Sequence, residues 1–258
     1  MFGAGGRMGT AVCQAVQDDA DLELVAAVDP RYSGLDLRTV TGVDAEVRFA
    51  GSSNAFDRAG AEVVVDFTER SAAVDNLDWL ASHGIHAVVG TTGFADADID
   101  RFRSRFQRSN CVIAPNFAIG AVLMMHFAAI AAPYFDSAEI IELHHENKID
   151  APSGTAMHTA RLMADASEDW TRDPTETEVL PGARGGEGPS GIRIHSVRLR
   201  GLVAHQEVLL GTTGQTLSLR HDSIDRTSFM PGVVLAVKRV QERPGVTVGL
   251  DALLDLGA

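Results

Sequence analysis

Short apolar runs alternate with amphipathic stretches through the first half of the chain. The runs rich in β-branched residues are LELVAAVD, AEVVVDFT, IHAVVGTT and NCVIAP, at residues 22–29, 61–68, 85–92 and 110–115. We expect each of them to form a buried strand. Between them, residues 71–84 and 96–109 carry apolar side chains three to four positions apart, which indicates helices. Strands that alternate with helices predict a parallel sheet covered on both faces.

The pattern changes near Phe117. The apolar run AIGAVLMMHFAAIAAPYF extends from Ala118 to Phe135 and approaches the length of a membrane span. It carries His126 and Pro133, however, and it lacks flanking Lys or Arg. We therefore expect a buried core helix.

The second half of the chain is predicted to form an α+β domain with a mixed sheet. A strand is expected at residues 138–145, a helix at 155–166 and a polar loop at 167–190. Three extended runs follow at 191–201, 203–211 and 215–223, and a final amphipathic helix is expected at 230–243. The three extended runs alternate partly with period two and are joined by glycine-bearing turns. This pattern favours a broad antiparallel or mixed sheet.

The chain opens with GAGGRMG, which leads into a predicted helix. Glycines at positions 3, 6 and 9 permit a tight turn and a close approach of backbone N–H groups to a pyrophosphate at the positive end of that helix. Gly5 completes the Gly-x-Gly start of the usual fingerprint, whereas Met8 stands at its last glycine position. Together with the alternating strands and helices, this variant motif predicts an N-terminal Rossmann-type domain within the α/β class.

Asp29 stands at the end of the apolar run that follows the predicted helix. A carboxylate there is expected to accept hydrogen bonds from the adenosine ribose. Arg31, two residues later, is placed to meet a 2′-phosphate instead. The carboxylate favours NADH and the guanidinium permits NADPH, so these residues predict a nicotinamide dinucleotide without choosing between the two.

Only Met1 and Phe2 precede the first glycine, so the first strand of a Rossmann unit is almost absent. Either residues are missing upstream or the fold lacks its central strand. We expect a missing upstream segment of several residues.

The densest group of titratable side chains lies in ELHHENKIDAPSGTA, at residues 142–156. The zinc-protease pattern does not apply, because Ile149 stands four residues after His145 and no cysteine is near. An exposed, solvated charge run is the simplest alternative explanation. The cluster, however, follows a predicted buried strand and precedes Ser153, which is placed to cap a helix. This arrangement favours a carboxylate-binding site with His and Lys as proton donors.

Composition narrows the classes of function. The chain has 258 residues, enough for one large or two modest domains, and 22 basic against 35 acidic side chains give a net charge of -13. This charge argues against nucleic acid and anionic membranes as partners. Cys13 and Cys111 are far apart in apolar surroundings, and no cationic leader opens the chain. We expect two reduced thiols in a cytoplasmic protein.

Five motifs resemble, in their order and spacing, those of the dihydrodipicolinate reductase family, also called 4-hydroxy-tetrahydrodipicolinate reductases. They are GAGGRMG, VDFT, VVGTTGF, APNFAIG and ELHHENKIDAPSGTA, and the resemblance covers essentially the whole chain. It implies an enzyme that reduces 4-hydroxy-tetrahydrodipicolinate to tetrahydrodipicolinate in the diaminopimelate route to lysine. In that family the nicotinamide transfers hydride to a cyclic, conjugated imine dicarboxylate, with loss of water.

The resemblance also implies roles for single residues. His144 and Lys148 match the proton-transfer pair, and His145, Gly154 and Thr155 match contacts to the substrate carboxylates. The residues that match or line the cofactor site are Gly3, Ala4, Gly5, Gly6, Arg7, Met8, Asp29, Gly90, Thr91, Thr92, Ala114, Pro115, Asn116 and Phe117. The implied cofactor is NADH or NADPH, and no metal is expected.

The family architecture implies a dinucleotide-binding domain at residues 1–116 and 226–258. Residues 117–225 are then expected to bind the substrate and to form a homotetramer through their sheet. Hinges are expected near 116–118 and 225–227, with domain closure during the reaction. The implied protein is cytoplasmic and acts on a small dicarboxylate, with neither nucleic acid nor a membrane as partner.

Two other functions stay open. A different Rossmann reductase, such as a homoserine or amino-acid dehydrogenase, explains the glycine-rich turn and Asp29 but leaves HHENKIDAPSGTA unexplained. A catalytically silent dinucleotide sensor would bind the cofactor without turnover. His144 and Lys148 favour an enzyme over a sensor.

Overall fold

The structure is a computed structural model that describes residues 1–167 and 169–256. The chain divides into two compact units. Unit 1 contains Met1–Ile119 together with the segment that follows Asp225, and unit 2 contains Gly120–Asp225.

The helices and strands are numbered here in chain order. The helices are α1 (Arg7–Asp18), α2 (Leu37–Thr41), α3 (Asn54–Ala59), α4 (Arg70–His83), α5 (Asp96–Arg105), α6 (Ile119–Ala131), α7 (Gly154–Ala166) and α8 (Met230–Arg239). The strands are β1 (Ala27–Val28), β2 (Phe49–Ala50), β3 (Val63–Asp66), β4 (His86–Val89), β5 (Cys111–Ile113), β6 (Ser137–His144), β7 (Gly186–Glu187), β8 (Arg193–Arg198), β9 (Ala204–Thr212), β10 (Gln215–Ser223) and β11 (Val246–Val248). Short 3-10 helices lie at Pro30–Tyr32, Ala132–Tyr134, Pro189–Gly191, Arg226–Phe229, Val240–Glu242 and Asp251–Leu253.

Most of the predicted elements of unit 1 are confirmed, with shorter bounds. β3, β4 and β5 lie within the predicted strands, and α4 and α5 lie over the predicted helices. The strand expected at 22–29 is wrong for its first five residues, because only Ala27 and Val28 find partners in a ladder. The predicted final helix ends at Arg239 and continues as a 3-10 turn to Glu242.

The sheet of unit 1 is parallel, and Phe2 joins its two parts. Phe2 forms single parallel bridges to Val28 and to Asp66, so it lies between β1 and β3. Its backbone N–H donates to the Val65 carbonyl at 2.9 Å, and the Val28 N–H donates to the Met1 carbonyl at 2.8 Å. The resulting order is β2, β1, Phe2, β3, β4, β5 and β11. The central position of the sheet is therefore filled by a single bridging residue.

Helices cover this sheet in two layers. α4 packs against α5, α1 packs against α8, and both α4 and α8 contact β4. The buried aromatic and aliphatic side chains between sheet and helices include Phe56, Leu77, Leu80, Phe102 and Phe106. Burial of side chains of this size contributes about 1.5–3 kcal/mol each, so this cluster is the main source of stability in unit 1.

Unit 2 contains a five-stranded mixed sheet with β6 at its centre. The order is β10, β9, β6, β8 and β7, in which β6 and β8 are parallel and the other pairs are antiparallel. The mixed sheet is therefore confirmed. α7 packs against β6, and Ile140, Ile194, Val208 and Met163 are buried in this unit. In the parallel register Glu142 is opposite Ser196 and His144 is opposite Arg198.

The apolar run after Phe117 forms a helix with one buried face, so the expected core helix is confirmed in part: Phe127 and Ile130 are exposed. α6 has 13 residues, and its buried side chains are Ala121, Val122, Met124, Met125 and Ala128. The chain leaves the helix through the 3-10 turn that contains Pro133. Within residues 1–167 and 169–256, none of the helices combines the length and the apolar character needed to cross a membrane.

Asn110 ties the returning C-terminal segment to the sheet of unit 1. Its Nδ2 donates to the carbonyls of Val240 and Gln241 at 2.9 and 3.1 Å, and its Oδ1 accepts from the Gly245 N–H at 3.1 Å. These bonds lie just before β5 and β11, which pair in parallel.

We expect Asn110→Ala to lower the free energy of unfolding by about 2–4 kcal/mol, because three hydrogen bonds of about 0.5–1.5 kcal/mol each are lost. Urea denaturation measures this change. Asn54→Ala, at an exposed asparagine of α3, is the control and should change stability by less than about 0.5 kcal/mol. Equal stabilities of the two variants would contradict the prediction.

Candidate active site

The glycine-rich turn of unit 1 leads directly into α1. Gly3 has a φ of +63°, and the Gly6 N–H donates to its carbonyl at 3.0 Å. Gly6 is the N-cap of α1 and supplies no side-chain cap, and Gly6 and Arg7 are exposed. The N–H groups of the first turn, including those of Arg7 and Met8, therefore point outward at the positive end of the helix.

Glycine is required in this turn because the surroundings leave no space for a Cβ. A Cβ at Gly5 would lie 2.3 Å from the ring of Tyr32, and one at Gly9 would lie 2.0 Å from the Gly3 carbonyl oxygen. Ala4 is fully buried, and its N–H donates to the Val28 carbonyl. A turn that is nearly free of side chains, at a helix N-terminus, can accommodate a phosphate group.

Asp29 lies beside the glycine-rich turn, as its predicted role requires. Its side chain is 8 % exposed and accepts from the Gly5 N–H at 3.2 Å and from the Arg31 N–H at 3.1 Å. The carboxylate therefore fixes the turn and starts the 3-10 helix that carries Tyr32. Arg31 is exposed.

The loops that follow β3, β4 and β5 lie next to one another. Thr91 Oγ1 donates to the Thr68 carbonyl at 2.8 Å. A Cβ at Gly90 would lie 2.0 Å from the ring of Phe67, whose centroid is 5.7 Å from that of Phe117. Phe67, on the loop that follows β3, therefore lies beside both predicted segments, Gly90 to Thr92 and Ala114 to Phe117.

Asp66 holds the loop that follows β3 in place. It is fully buried at the end of β3 and accepts from the Thr68 N–H and hydroxyl, each at 2.7 Å, and from Asn76 Nδ2 at 2.7 Å. The Thr68 methyl carbon would lie 3.2 Å from a Cβ at Gly3, so this loop also adjoins the glycine-rich turn. Asp66, Phe67 and Thr68 were not among the predicted site residues, although VDFT is one of the motifs that carry the resemblance.

The other predicted residues lie on the same loops. Thr92 and Pro115 are exposed and Ala114 is buried. Asn116 Oδ1 accepts from the Ala118 N–H at 2.9 Å, which fixes the turn that precedes α6. The predicted cofactor residues of unit 1 therefore lie at the carboxyl edge of one parallel sheet, where α/β proteins bind their ligands.

In unit 2 the buried carboxylate of Glu142 organises the predicted cluster. One oxygen bonds to His144 Nδ1 and accepts from Arg198 Nη1 at 2.9 Å. The other accepts from Arg198 Nη2 at 2.8 Å and from the Ser153 N–H at 3.2 Å. The side chain of Glu142 is fully buried. His144 and the start of α7 are thus held by one side chain.

Hydrogen bonds keep this carboxylate ionised. Burial favours the neutral acid and would raise the pKa of Glu142, but the bonds from His144, Arg198 and Ser196 outweigh burial and lower the pKa to about 2. At neutral pH Glu142 is therefore an acceptor at both oxygens, and His144 Nδ1 must be the donor.

The loop between β6 and α7 carries the other predicted groups. His145 is exposed, and its carbonyl accepts from the Lys148 N–H at 3.2 Å, which closes a turn. Lys148 Nζ lies 2.8 and 2.9 Å from the two carboxylate oxygens of Asp150, and these bonds lower the pKa of Asp150. Glu146 accepts from Arg200 Nε at 2.8 Å. Glu146 and Asp150, which had no predicted roles, therefore hold basic groups.

The start of α7 has the predicted form. Ser153 is the N-cap, and its hydroxyl accepts from the Ala156 N–H at 3.1 Å. Gly154 is the first helical residue and is exposed, and Thr155 is half-buried. The helix has 13 residues, so its first turn lies at the positive end of a helix dipole. Such a terminus suits a carboxylate.

Sequence reasoning missed the two residues that hold this cluster together, Glu142 and Arg198. Glu142 was expected only as part of a strand and as the first residue of the titratable cluster, and Arg198 was not singled out. A buried acid two residues before His144 was the available signal. Across the described residues, no group of three or more His, Cys, Asp and Glu side chains is arranged to hold a metal ion.

We expect Gly9→Ala to lower the free energy of unfolding by about 1–3 kcal/mol, because the added carbon would lie 2.0 Å from the Gly3 carbonyl oxygen and 2.8 Å from Ala4 Cα. Since the turn must shift, binding of the expected nicotinamide dinucleotide should weaken about tenfold or more, corresponding to at least ~1.4 kcal/mol. Fluorescence titration and urea denaturation measure the two effects. Gly186→Ala, whose Cβ would meet the Ile194 carbonyl at an ordinary 3.8 Å, is the control. Wild-type binding by Gly9→Ala would refute the requirement.

Glu142 should make stability depend on pH in acid. Its pKa of about 2 lies below the ordinary value of 4.5, so its contribution is complete above about pH 4.5 and is lost as the pH falls toward 2. The stability difference between wild type and Glu142→Gln should shrink by roughly 3 kcal/mol over that range. Glu146→Gln, at an exposed pair, should show little change. A constant difference between wild type and Glu142→Gln would contradict the shift.

Comparison with known families covers nearly the whole chain. The profile described as "Dihydrodipicolinate reductase, N-terminus" matches residues 1–117, and "Dihydrodipicolinate reductase, C-terminus" matches residues 120–254. The 4-hydroxy-tetrahydrodipicolinate reductase of Mycobacterium marinum is 52% identical over 260 residues, with 99% of this chain and 98% of that protein covered. The enzyme of the same name from Nocardia farcinica is 53% identical over 263 residues, with the same coverage.

A solved structure agrees with these matches. The dipicolinate-bound dihydrodipicolinate reductase from Paenisporosarcina sp. TG-14 superposes with a TM-score of 0.86 and is 39% identical, with 98% of this chain and 97% of that chain covered. An amine dehydrogenase from Mycobacterium smegmatis, at 12% identity and a TM-score of 0.66, shares the fold alone. The chain belongs to the dihydrodipicolinate reductase family.

Proposed function

We propose that this chain catalyses the nicotinamide-dependent reduction of 4-hydroxy-tetrahydrodipicolinate to tetrahydrodipicolinate, a step of the diaminopimelate route to lysine. The observation that carries the proposal is the cluster of His144, Lys148 and the α7 N-terminus, within a chain whose full-length relatives bear the name of this reductase. A generic Rossmann reductase has no need of this cluster.

In this proposal unit 1 holds the dinucleotide. The N–H groups at the start of α1 bind the pyrophosphate, and Asp29 lies where the adenosine ribose would follow. The loops of Gly90 to Thr92 and Ala114 to Phe117 line the nicotinamide end. When bound, the nicotinamide supplies the hydride. The fit rests on the bare glycine turn and on the exposed first turn of α1.

Unit 2 binds the substrate. The substrate carries two carboxylates, and one of them is assigned to the start of α7, at the exposed Gly154 and the half-buried Thr155, where the positive end of the helix dipole favours an anion. His145, exposed on the preceding loop, offers a second donor. The dipicolinate bound by the solved relative is a planar dicarboxylate, which supports a site of this chemistry.

His144 and Lys148 handle the proton. Water leaves the hydroxylated ring, and hydride addition to the resulting C=C–C=N system places negative charge on it. An ammonium or imidazolium N–H then neutralises that charge by donating a proton to the ring. Asp150 holds the Lys148 ammonium group in place, and Glu142 holds His144.

The choice of cofactor, the compartment and the oligomeric state are also part of the proposal. Asp29 suits the free ribose of NADH and the exposed Arg31 suits the 2′-phosphate of NADPH, so we propose that both are used. We also propose a cytoplasmic homotetramer. Apolar side chains of the sheet face opposite Glu142, including Ile141, Val197 and Leu209, are only half-buried in the single chain and support assembly through that face.

We further propose that residues 1–116 and 226–258 bind the dinucleotide and that residues 117–225 bind the substrate, with hinges near 116–118 and 225–227. The compact units meet along the chain at Ile119–Gly120 and at Asp225–Arg226, which lends support to this division.

A coupled assay tests the proposal. 4-Hydroxy-tetrahydrodipicolinate is generated in situ, and NADH or NADPH oxidation is followed by absorbance. Turnover with this substrate, but not with homoserine or amino acids, is expected. Turnover only with the latter would indicate a different reductase, and cofactor binding without turnover would indicate a sensor.

We expect Lys148→Ala to lower kcat by about 10²-fold or more, the usual effect of losing a general acid. NADH affinity should stay within about twofold, because the proposed dinucleotide site lies in unit 1. Lys238→Ala, which removes a lysine paired with Asp19 and Asp21, is the matched control and should keep normal turnover. Unchanged turnover of Lys148→Ala would remove this residue from the mechanism.

A further inference from the structure

The ion pair of the buried Glu142 and the half-buried Arg198 lies on the two parallel strands of unit 2. A charged group taken out of water loses several kcal/mol of hydration, and such pairs are often replaceable by apolar residues without loss of stability. Glu142 is fully buried on the central strand of the sheet. Stability alone therefore does not explain an acid at this position. The groups that its carboxylate bonds to offer another explanation.

The carboxylate joins three segments that carry the proposed chemistry. It bonds to His144 Nδ1 on its own strand and to the Ser153 N–H at the start of α7. Arg198, in turn, donates from Nη2 to the Asp150 carbonyl at 2.7 Å, on the loop that carries Lys148. One ion pair therefore sets the positions of a proposed proton donor, the carboxylate-binding turn and the lysine loop.

We propose that Glu142 is a positioning residue for the reaction. Its carboxylate holds the His144 ring with the proton on Nδ1, so that Nε2 is the nitrogen that exchanges a proton with the substrate, and Arg198 anchors the carboxylate in that orientation. This inference rests on the proposed function, because it assigns His144 its part in proton transfer.

The carboxylate controls the tautomer because its other partners donate to it: Arg198 and the Ser153 N–H can do nothing else, and the Ser196 hydroxyl also bonds to the ionised acid. His144 Nδ1 can be either donor or acceptor, so the state of the carboxylate decides which it is. An ionised Glu142 accepts at both oxygens, so Nδ1 carries a proton and the neutral ring has its lone pair on Nε2. The ring then returns to the donor form by taking a proton at Nε2.

Glu142→Gln reverses this arrangement without changing the shape of the side chain. The single amide oxygen takes the side that receives the Ser153 N–H and Arg198 Nη2, because the NH₂ group then faces one obligatory donor, Arg198 Nη1, whereas the opposite orientation would face it with two. The amide NH₂ group then faces His144 Nδ1, which must become an acceptor. The neutral ring is forced into the tautomer that carries its proton on Nε2.

The first test is the tautomer itself. Selective ¹⁵N labelling of histidine, with long-range ¹H–¹⁵N spectra at a pH where the ring is neutral, reports which nitrogen is protonated. The His144 signal among the nine histidines is identified with a His144→Asn variant. We expect protonated Nδ1 in wild type and protonated Nε2 in Glu142→Gln. Protonated Nδ1 in both would overturn the proposal.

The second test is kinetic. Glu142→Gln should lower kcat by about 10²-fold, as expected when a general acid is in the wrong form, with KM changed by less than about threefold. NADH affinity should stay at the wild-type value. A loss confined to KM, or a kcat loss equal to the loss of folded protein, would mean that Glu142 is merely structural.

Two further variants separate positioning from stability. Glu142→Gln/Arg198→Met removes both charges, so it leaves no unpaired buried cation and should fold even where the single variant does not. It should show the same reversed tautomer and a kcat no higher than that of Glu142→Gln, because the bond from Arg198 to the Asp150 carbonyl is lost as well. Arg198→Lys keeps Glu142 and a cation but loses the two parallel bonds. It should lose stability yet keep protonated Nδ1 and a kcat within about tenfold of wild type.

These measurements distinguish failure of the inference from failure of the proposed function. The tautomer is measured without substrate, so it does not depend on which reaction is catalysed. If wild type does not reduce 4-hydroxy-tetrahydrodipicolinate, the proposed function fails even when the tautomer is reversed as expected. If wild type is active and the tautomer or kcat does not respond to Glu142→Gln, the inference alone fails.

Discussion

Parallel pairing of strands is the constraint on which both halves of this structure depend. Parallel strands end at the same edge of a sheet, so the loops that follow them must lie side by side. In unit 1 this brings the turn after Phe2 next to the loops after β1, β3, β4 and β5. In unit 2 the single parallel pair, β6 with β8, places Arg198 opposite His144 and two residues from the register of Glu142. An antiparallel β8 would carry Arg198 to the far end of the sheet.

Helix N-termini complete both sites, with different chemistry. α1 begins at Gly6 without a side-chain cap, which leaves its first N–H groups open to a ligand with several acceptor oxygens. α7 begins at Ser153, whose hydroxyl satisfies the Ala156 N–H, so fewer N–H groups stay open. The difference suits a diphosphate at the first helix and a carboxylate at the second. Buried carboxylates fix the adjoining loops: Asp29 holds the glycine-rich turn and Asp66 the loop after β3 in unit 1, and Glu142 holds the start of α7 in unit 2.

Different residues stabilise the protein and position its proposed catalytic groups. The apolar cluster between sheet and helices in unit 1 supplies most of the free energy of burial there. The buried carboxylates add less, because their hydrogen bonds must first offset the loss of hydration. Their effect is to leave one arrangement for each loop, which is what the proposed dinucleotide and substrate sites each require.

Local features of the protein could be predicted from the sequence alone. The glycine-rich turn, the N-cap at Ser153 and the helices α4, α5 and α6 depend on residues within a few positions of one another, so spacing and periodicity reveal them. The resemblance of GAGGRMG and ELHHENKIDAPSGTA to one family identified that family, which the full-length matches confirm. The early strand was overpredicted at 22–26, since a strand exists only where a neighbour pairs with it.

Only the tertiary structure decided which distant residues meet. Glu142 and Arg198 are 56 positions apart, and Asn110 reaches the carbonyl of Val240 across 130 positions. Such contacts depend on strand order and register, which no local pattern contains. The sequence by itself determined the segments that carry chemistry, because their form is local. The fold determined how Glu142 and Arg198 hold those segments, because a buried charge is stable only where the topology delivers its partner.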